Sequence, residues 1–207
     1  MAKYTDPKCR LCRREGEKLY LKGARCLSPK CPIDKKGAQI PGQHGKKRAR
    51  GRISGYGIQL REKQKAKRTY GVLENQFHAY YEVAIASKGN TSEVLMQYLE
   101  SRLDNIVYRL GFVISRSLAR QLVTHGNILV DGRKVDVPSF QTKPGMIISL
   151  PEKAAKFDFV APNLNEKNAP AKWLSRVGTQ GKIDRLPTRD EIGSNIKENL
   201  IIEFYSR

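Results

Sequence analysis

Acidic residues, tryptophan and long apolar runs are scarce in this chain. Its 207 residues include 20 Asp and Glu against 39 Lys and Arg, which gives a formal net charge of +19 at pH 7. Such an excess opposes compaction through self-repulsion, so it indicates a polyanionic partner, nucleic acid first and an anionic membrane surface second. No stretch approaches the roughly 20 apolar residues that span a bilayer, and the start, MAKYTDPKC, lacks the apolar region of a signal peptide. We therefore expect a soluble, cytoplasmic protein without a membrane partner.

The positive charge is concentrated in the N-terminal third. Residues 1–68 hold 21 Lys and Arg against 5 Asp and Glu, whereas residues 69–207 hold 18 against 15. The glycines before residue 57 disfavour a helix there, and we predict an extended basic arm with a Gly-Tyr-Gly turn at Tyr56. A run of one sign favours phosphate contact over a merely solvated surface. The candidate RNA contacts of this arm are Lys46, Lys47, Arg48, Arg50, Arg52, Arg61, Lys63, Lys65, Lys67 and Arg68.

The four cysteines lie within the first 31 residues, as Cys9, Cys12, Cys26 and Cys31. The spacing C-x2-C-x13-C-x4-C is typical of two knuckles that bring four thiolates to the corners of a tetrahedron. A disulfide framework is disfavoured in a cytosolic chain, and no strand precedes the first pair as a thioredoxin-like motif requires. We predict one structural Zn²⁺ bound by all four thiolates, with a [4Fe–4S] cluster as the alternative.

Residues 95–150 show the pattern helix, helix, hairpin, strand. One apolar stripe runs from Val94 to Leu110, and a second helix is predicted between Ser115 and Gly126. Asp131-Gly132 is a favoured two-residue turn between short apolar strands, and GMIISL supplies a third strand.

Arginines recur on both predicted helices of this region. Arg102 and Arg109 lie two turns apart on the first, and Arg116 and Arg120 lie four residues apart on the second. If the helices pack by their leucine stripes, these side chains form one basic face beside the turn that carries Arg133 and Lys134. Arginine suits RNA because its planar fork pairs with phosphate and stacks on bases. The alternative interpretation is that these arginines pair on the surface with Glu100 and Asp104.

The remaining patterns are helical. Leu73, Phe77, Tyr80 and Ala84 recur at helical spacing, which favours a core stripe over a base-stacking platform. Asn90 with Glu93 predicts one helix start, and Thr188 with Glu191 predicts a capping box. The last predicted helix must pack its apolar side, and we expect it against the Leu73 helix.

The sequence therefore predicts an α+β protein, mostly helical, with an inserted small module of two helices and a short antiparallel sheet. We expect a four-cysteine metal-binding segment at residues 1–42, a helical domain with the basic arm at 43–94 plus 171–207, and the inserted RNA-binding module at 95–170.

The stretch SRLDNIVYRLGFVISRSLARQLVTHGNILVDGRKVDVPSF resembles the small RNA-binding module named after ribosomal protein S4. Its Arg-Leu-Asp helix, its Ser-Arg-x-x-Ala-Arg-Gln helix and its HGNILVDG hairpin carry the resemblance. The flanks YGIQLREKQKAKRTYGVLENQFHAYYEVA and LPTRDEIGSNIKENLIIEFYSR resemble the bacterial S4 family of the small ribosomal subunit, as does the four-cysteine segment. The resemblance covers essentially the whole chain.

The resemblance implies a structural, non-catalytic protein that binds the 5′ domain of 16S rRNA early and nucleates assembly of the subunit body. It also implies a position near the mRNA entry path beside ribosomal proteins S5 and S3, and repression of its own operon in some members. The RNA-contacting role carries over to Arg102, Arg109, Arg116, Arg120, His125 and Lys134. His125 has an equal alternative as a helix C-terminal residue near the dipole.

Two other functions fit parts of the sequence. An RNA-modifying enzyme of the pseudouridine synthase type uses the same module but needs a sizeable catalytic domain as well. A zinc-dependent DNA-binding regulator needs a recognition helix displayed by the cysteine segment, and residues 13–25 are too short and polar to form one.

Overall fold

The computed structural model describes residues 3–45, 53–165, 170–193 and 195–206. The chain divides into two compact units. The first consists of Met1–Ser92 and Asn195–Arg207, and the second is Glu93–Ser194. Within these residues the structure is mostly helical with one small antiparallel sheet, as predicted.

Short helices form the cysteine-containing start of the first unit, and longer ones follow. The short ones are α1 (Cys9–Glu15), α2 (Ala24–Leu27) and α3 (Pro32–Lys36), and the long ones are α4 (Gly55–Tyr70) and α5 (Glu74–Ala86). The chain returns to this unit as α12 (Glu198–Tyr205).

Helix α4 begins two residues earlier than the glycines indicated. Ser54 is its N-cap, and the Ser54 hydroxyl accepts a 3.2 Å hydrogen bond from the Gly57 N–H. Gly55, Tyr56 and Gly57 form the first helical turn, so the predicted Gly-Tyr-Gly turn is wrong. The Ser54 side chain satisfies a backbone N–H in the first helical turn, which contains two glycines. This hydrogen bond offsets the poor helix propensity of those glycines. The basic residues from Arg61 to Arg68 consequently lie on a helix and not on an extended arm.

The last helix closes the first unit by packing along α4. It also reaches the aromatic residues of α5, because the Tyr205 ring lies 6.3 Å from that of Phe77 and 4.6 Å from that of Tyr81. Phe77, Tyr81 and Ala84 are buried, whereas Leu73 is 41% exposed. The expected core stripe is therefore present on α5, but Leu73 is not part of it. The last helix, α12, packs chiefly on α4.

The second unit opens with α6 (Thr91–Glu100), α7 (Leu103–Arg109) and α8 (Arg116–Thr124). Asn90 accepts a hydrogen bond from the Ser92 N–H and Ser115 caps α8, as predicted. The single helix expected across residues 94–110 is broken. Arg102 is extended (φ −66°, ψ 137°), and the N–H groups of Leu103 and Asp104 donate to the carbonyls of Phe140 and Pro138 instead of to a preceding helical turn.

The predicted hairpin is confirmed. Strands β1 (Leu129–Val130) and β2 (Arg133–Lys134) flank Asp131 and Gly132, both of which have positive φ (48° and 77°) as a type I′ turn requires. Strand β3 (Ile147–Ser149) pairs antiparallel with β1, placing Val130 opposite Ile148.

Two further strands, which the sequence pattern did not predict, extend the sheet. They are β4 (Leu174–Val177) and β5 (Gln180–Ile183), and the strand order is β2-β1-β3-β5-β4. Residues 171–194, assigned above to the helical domain, therefore lie in the second unit, because β5 pairs with β3. Gly181 of β5 faces Leu110 so closely that a side chain there would clash with it.

Short helices complete the second unit: α9 (Glu152–Ala155), α10 (Ala161–Asn165) and α11 (Arg189–Ile192). The capping box of Thr188 and Glu191 is present at the start of α11. The core between the helices and the sheet contains Leu103, Ile106, Leu110, Phe112, Leu122, Ile128, Ile148 and Trp173, each at most 2% exposed. In the described part of the chain, no helix is both long and apolar enough to cross a membrane.

Candidate nucleic-acid interface

Two buried carboxylates organise the arginines at the junction of α6, α7 and α8. Asp104, which is 4% exposed, accepts hydrogen bonds from Arg102 Nε at 3.0 Å and Arg102 Nη2 at 2.7 Å. Its Oδ2 also accepts from Arg120 Nη1 at 3.3 Å. One carboxylate in the first turn of α7 thus holds the residue before that helix and a residue of α8.

Glu100, the last residue of α6, is fully buried and contacts a second pair of arginines. Its two oxygens accept from Arg109 Nε at 2.9 Å and Arg109 Nη2 at 2.7 Å, a bidentate arrangement. The second guanidinium at this carboxylate belongs to Arg116, whose Nη2 lies 4.0 Å from Glu100 Oε1.

Asn105 links Glu100 to Arg116. Its amide nitrogen donates to Glu100 Oε2 at 2.7 Å, and its amide oxygen accepts from Arg116 Nε at 2.7 Å. The Arg116 guanidinium also stacks 4.6 Å above the ring centroid of Tyr108. With its edge and its face both contacted, Arg116 has little rotational freedom left.

The structure thus brings together three of the predicted arginines, Arg109, Arg116 and Arg120, here called the arginine cluster. Their side chains remain 21%, 18% and 12% exposed. Each side chain is therefore held by internal polar partners and still reaches the surface in part.

The structure contradicts the prediction that Arg102 contacts RNA. Its side chain is fully buried and bidentate to Asp104, so it cannot contact RNA. The alternative interpretation, arginines paired with Glu100 and Asp104, is confirmed for the pairings, but both carboxylates are buried and not on the surface.

The other predicted contacts of this unit are exposed. His125 is the C-cap residue of α8, the helix C-terminal position that the alternative interpretation gave it. Its side chain is exposed. Arg133 and Lys134 are exposed on β2. The Lys134 side chain lies directly over Gly126, where any Cβ would clash with it. This glycine therefore leaves room for the lysine to cross the C-terminal end of α8.

The cations of α4 are paired with acids of their own unit. Arg61 and Arg68 both contact Glu15 of α1, Lys65 contacts Glu17 and Glu62, and Lys63 and Lys67 contact Glu74. Lys63 is 5% exposed, so its ammonium is an internal ion-pair partner and not a surface contact, which corrects that prediction. The predicted contacts Lys46, Lys47, Arg48, Arg50 and Arg52 lie outside the described residues.

The four cysteines line one small pocket together with Lys18, Lys22 and Arg25. No disulfide joins any two of these four described residues, and Cys26 Sγ accepts a 3.4 Å hydrogen bond from the Lys22 N–H. Burial raises the pKa of the Cys12 thiol, the Leu19 backbone opposes that shift, and the other three thiols add to it.

The donor set, four thiols around one pocket with cations nearby, fits a soft metal ion. The arrangement of side chains does not show one, however. Within residues 3–45, 53–165, 170–193 and 195–206, no group of three or more His, Cys, Asp or Glu is positioned to hold a metal ion. The predicted metal knuckle is therefore not supported by the arrangement of these side chains.

Sequence reasoning named Glu100 and Asp104 only as surface partners of the arginines, and it gave Asn105 no role. The available signal was polar residues at buried positions of an apolar stripe, where an unpaired charge is costly and a partner is required. Asp104 and Asn105 lie between the apolar residues Leu103 and Ile106. They therefore occupy positions on the side of the helix that faces the core.

Two family models match the chain over residues 3–148. Residues 3–100 match the family described as the ribosomal protein S4/S9 N-terminal domain, and residues 101–148 match the S4 domain. The second match contains the whole of α7, α8 and the β1–β2 hairpin, and therefore the arginine cluster.

Several curated relatives are similar along their full length. Proteins named small ribosomal subunit protein uS4 are 51% identical in Dictyoglomus thermophilum over 210 residues, in Thermus thermophilus over 211 and in Thermoanaerobacter sp. over 209. Each comparison covers 100% of this chain and 100% of the relative. The likeness is therefore continuous through both units.

Proposed function

The chain belongs to the ribosomal protein S4 family of the small ribosomal subunit, and we propose that it binds ribosomal RNA through the arginine cluster and the exposed residues His125, Arg133 and Lys134. The family is structural and not catalytic, so this protein is not an enzyme, and its place is the cytoplasmic ribosome. The pseudouridine synthase and DNA-binding regulator alternatives are set aside on the same ground.

The observation that carries the proposal is the arginine cluster itself. Three guanidiniums are held by buried polar groups, yet each keeps 12–21% of its side chain exposed. Arginine held in this way suits phosphates, because the fork of N–H donors matches phosphate oxygens in pairs. A-form RNA conceals its base edges in a deep groove, so recognition by shape and phosphate position is expected.

We further propose that the target is the 5′ domain of 16S rRNA, where several helices join, and that binding there nucleates assembly of the subunit body. A junction concentrates phosphates, and a protein with net charge +19 offsets the repulsion between the joined helices. Contacts with ribosomal proteins S5 and S3, a position near the mRNA entry path and repression of its own operon belong to the same proposal.

A filter-binding competition tests the RNA target. Labelled 16S 5′ domain RNA is bound at about 150 mM salt and competed with unlabelled 5′ domain RNA or duplex DNA. The logarithm of the binding constant is expected to fall by roughly 0.7–0.9 per phosphate contact for each tenfold rise in salt. Competition by duplex DNA as strong as by the RNA would overturn the proposal.

We also propose that Cys9, Cys12, Cys26 and Cys31 together bind one structural Zn²⁺, with a [4Fe–4S] cluster as the alternative. The shared pocket supports this, because four cysteine side chains that line one pocket are the donor set of a tetrahedral structural site. A bound metal would supply folding free energy to a segment with few buried apolar residues. Metal analysis of the purified protein with its visible absorption spectrum distinguishes zinc, iron–sulfur and neither.

A further inference from the structure

The hairpin that carries Arg133 and Lys134 has a short ladder. Strand β2 lies at one edge of the sheet and contains only these two residues, which pair with Val130 and Leu129 of β1. A two-stranded hairpin is marginally stable by itself, so the placement of the two cations depends on what anchors the turn. The turn begins at Asp131, the residue that directly follows β1.

Asp131 and Ile147, the first residue of β3, exchange two hydrogen bonds of different kinds. The Asp131 N–H donates to the Ile147 carbonyl at 2.8 Å, and the Ile147 N–H donates to Asp131 Oδ1 at 2.8 Å. In a regular antiparallel pair both bonds join backbone groups. The chain already turns at Asp131, where φ is 48°, and the carboxylate takes the place of the backbone carbonyl as acceptor. The side chain thereby extends the pairing of β1 with β3 by one residue into the turn.

We propose that Asp131 is a positioning residue, whose carboxylate fixes the β1–β2 hairpin on β3 so that Arg133 and Lys134 are placed for phosphate contact. This inference rests on the proposed RNA-binding function and deepens it. The Lys134 side chain crosses Gly126 at the end of α8. Movement of the hairpin would therefore also change where this ammonium lies relative to that helix.

The charge of Asp131 opposes the effect of its hydrogen bond. A carboxylate two residues before Arg133 weakens the attraction of the hairpin to phosphate, and its removal raises the net charge of the protein by one. Charge alone therefore predicts tighter RNA binding by every neutral replacement. Positioning predicts undiminished binding only where the replacement still accepts from the Ile147 N–H.

Two neutral replacements separate these explanations. Asp131→Asn and Asp131→Gly make the same change in charge, and Asn-Gly and Gly-Gly both suit the positive φ values of this turn. Only asparagine keeps a side-chain oxygen for the Ile147 N–H. In filter binding of the full-length protein to 16S 5′ domain RNA, we expect Asp131→Asn to bind as tightly as the wild type or more tightly. We expect Asp131→Gly to bind about threefold to tenfold more weakly than Asp131→Asn, because the two cations must then be ordered on binding.

Two further measurements distinguish positioning from a general loss of stability. Thr188→Ala removes the capping box of α11 in the same unit, which lowers stability, and we expect it to bind RNA as the wild type does. A double-mutant cycle tests whether Asp131 acts through the two cations. When Arg133 and Lys134 are both replaced by alanine, Asp131→Asn and Asp131→Gly should bind equally.

Hydrogen exchange of the free wild-type protein decides the matter if Asp131→Gly does not fold. The Ile147 amide should be protected before RNA is added, and the protection should persist in Asp131→Asn.

Four results would overturn the positioning role and leave the RNA-binding function intact. They are an unprotected Ile147 amide, equal affinity of folded Asp131→Asn and Asp131→Gly, the same affinity loss in Thr188→Ala, and a difference between the two Asp131 variants that persists in the alanine background. Failure of the wild-type protein to prefer 5′ domain RNA over duplex DNA would instead defeat the proposed function.

Discussion

The hydroxyl of Tyr205 donates a 2.8 Å hydrogen bond to Glu74 Oε1 and so joins the last residue of α12 to the first residue of α5. Lys67 approaches the other oxygen of Glu74 at 2.7 Å, and Lys63 of α4 contacts Oε1 as well. Three helices therefore meet at one carboxylate. Burial alone would raise the pKa of Glu74, but hydrogen bonds from Lys63, Lys67 and Tyr205 outweigh it and lower the pKa to about 2.

We predict that Glu74→Gln makes the stability of the protein less sensitive to acid. A carboxyl with a lowered pKa in the folded state stabilises the protein above its ordinary pKa, 4.5, and this contribution is lost as the pH falls towards 2. Since 40% of the side chain is exposed, solvent screening reduces the effect to ~1 kcal/mol. Urea unfolding at several pH values between 2 and 6 measures it. Glu152→Gln, at an exposed position of α9, is the control and should follow the wild type.

We predict that Arg102→Met destabilises the protein by about 3–5 kcal/mol, because it leaves Asp104 buried without its bidentate partner. Urea unfolding at neutral pH measures the loss. Arg133→Met, at an exposed position of β2, should change the unfolding free energy by no more than about 0.5 kcal/mol. Similar stability of the two variants would contradict the structural role assigned to Arg102.

We predict that Gly126→Ala weakens RNA binding as well as folding. Gly126 has φ +66° and lies beneath the Lys134 side chain, whereas Gly71 has the same φ with nothing within 4 Å of an added Cβ. Both alanine variants should lose ~1 kcal/mol of stability through backbone strain. Only Gly126→Ala should also displace Lys134 and lower the affinity for 5′ domain RNA. An equal affinity loss in Gly71→Ala would show that displacement of Lys134 is not the cause.

We predict that chelation, or replacement of all four cysteines by serine, increases amide hydrogen exchange mainly in residues 1–40. The reason is that a segment with few buried apolar residues depends on its metal for folding. Exchange in residues 93–194 should stay unchanged, since that unit has its own core. Protection of residues 1–40 that survives metal removal would show that packing alone folds the segment.

Local sequence signals were sufficient where neighbouring residues determine the backbone. Asn90, Ser115 and Thr188 each begin a helix as their side chains indicate, and Asp131-Gly132 forms the turn that its positive φ values allow. Each of these features depends on hydrogen bonds or torsions spanning a few residues, so the pattern in the sequence carries the information.

Features set by distant residues were not predictable. Apolar residues recur at helical spacing on both sides of Ser101 and Arg102. No glycine or proline at this point indicates that the helix ends. The break arises because Phe140 and Pro138 accept the N–H groups of Leu103 and Asp104. Strand β5 likewise contains Gly181 and charged Lys182 and becomes a strand through pairing with β3. Burial of Glu100 and Asp104 follows from the same tertiary arrangement.

Placement of α12 in the first unit has a consequence for synthesis on the ribosome. Helix α4 packs along α12, yet more than a hundred residues separate them in the sequence. A chain made from its N-terminus completes residues 93–194 before α12 exists, and domains fold as units while they emerge. The first unit therefore lacks the helix that packs along α4 until the last residues of the chain are made, whereas residues 93–194 are contiguous and contain their own core.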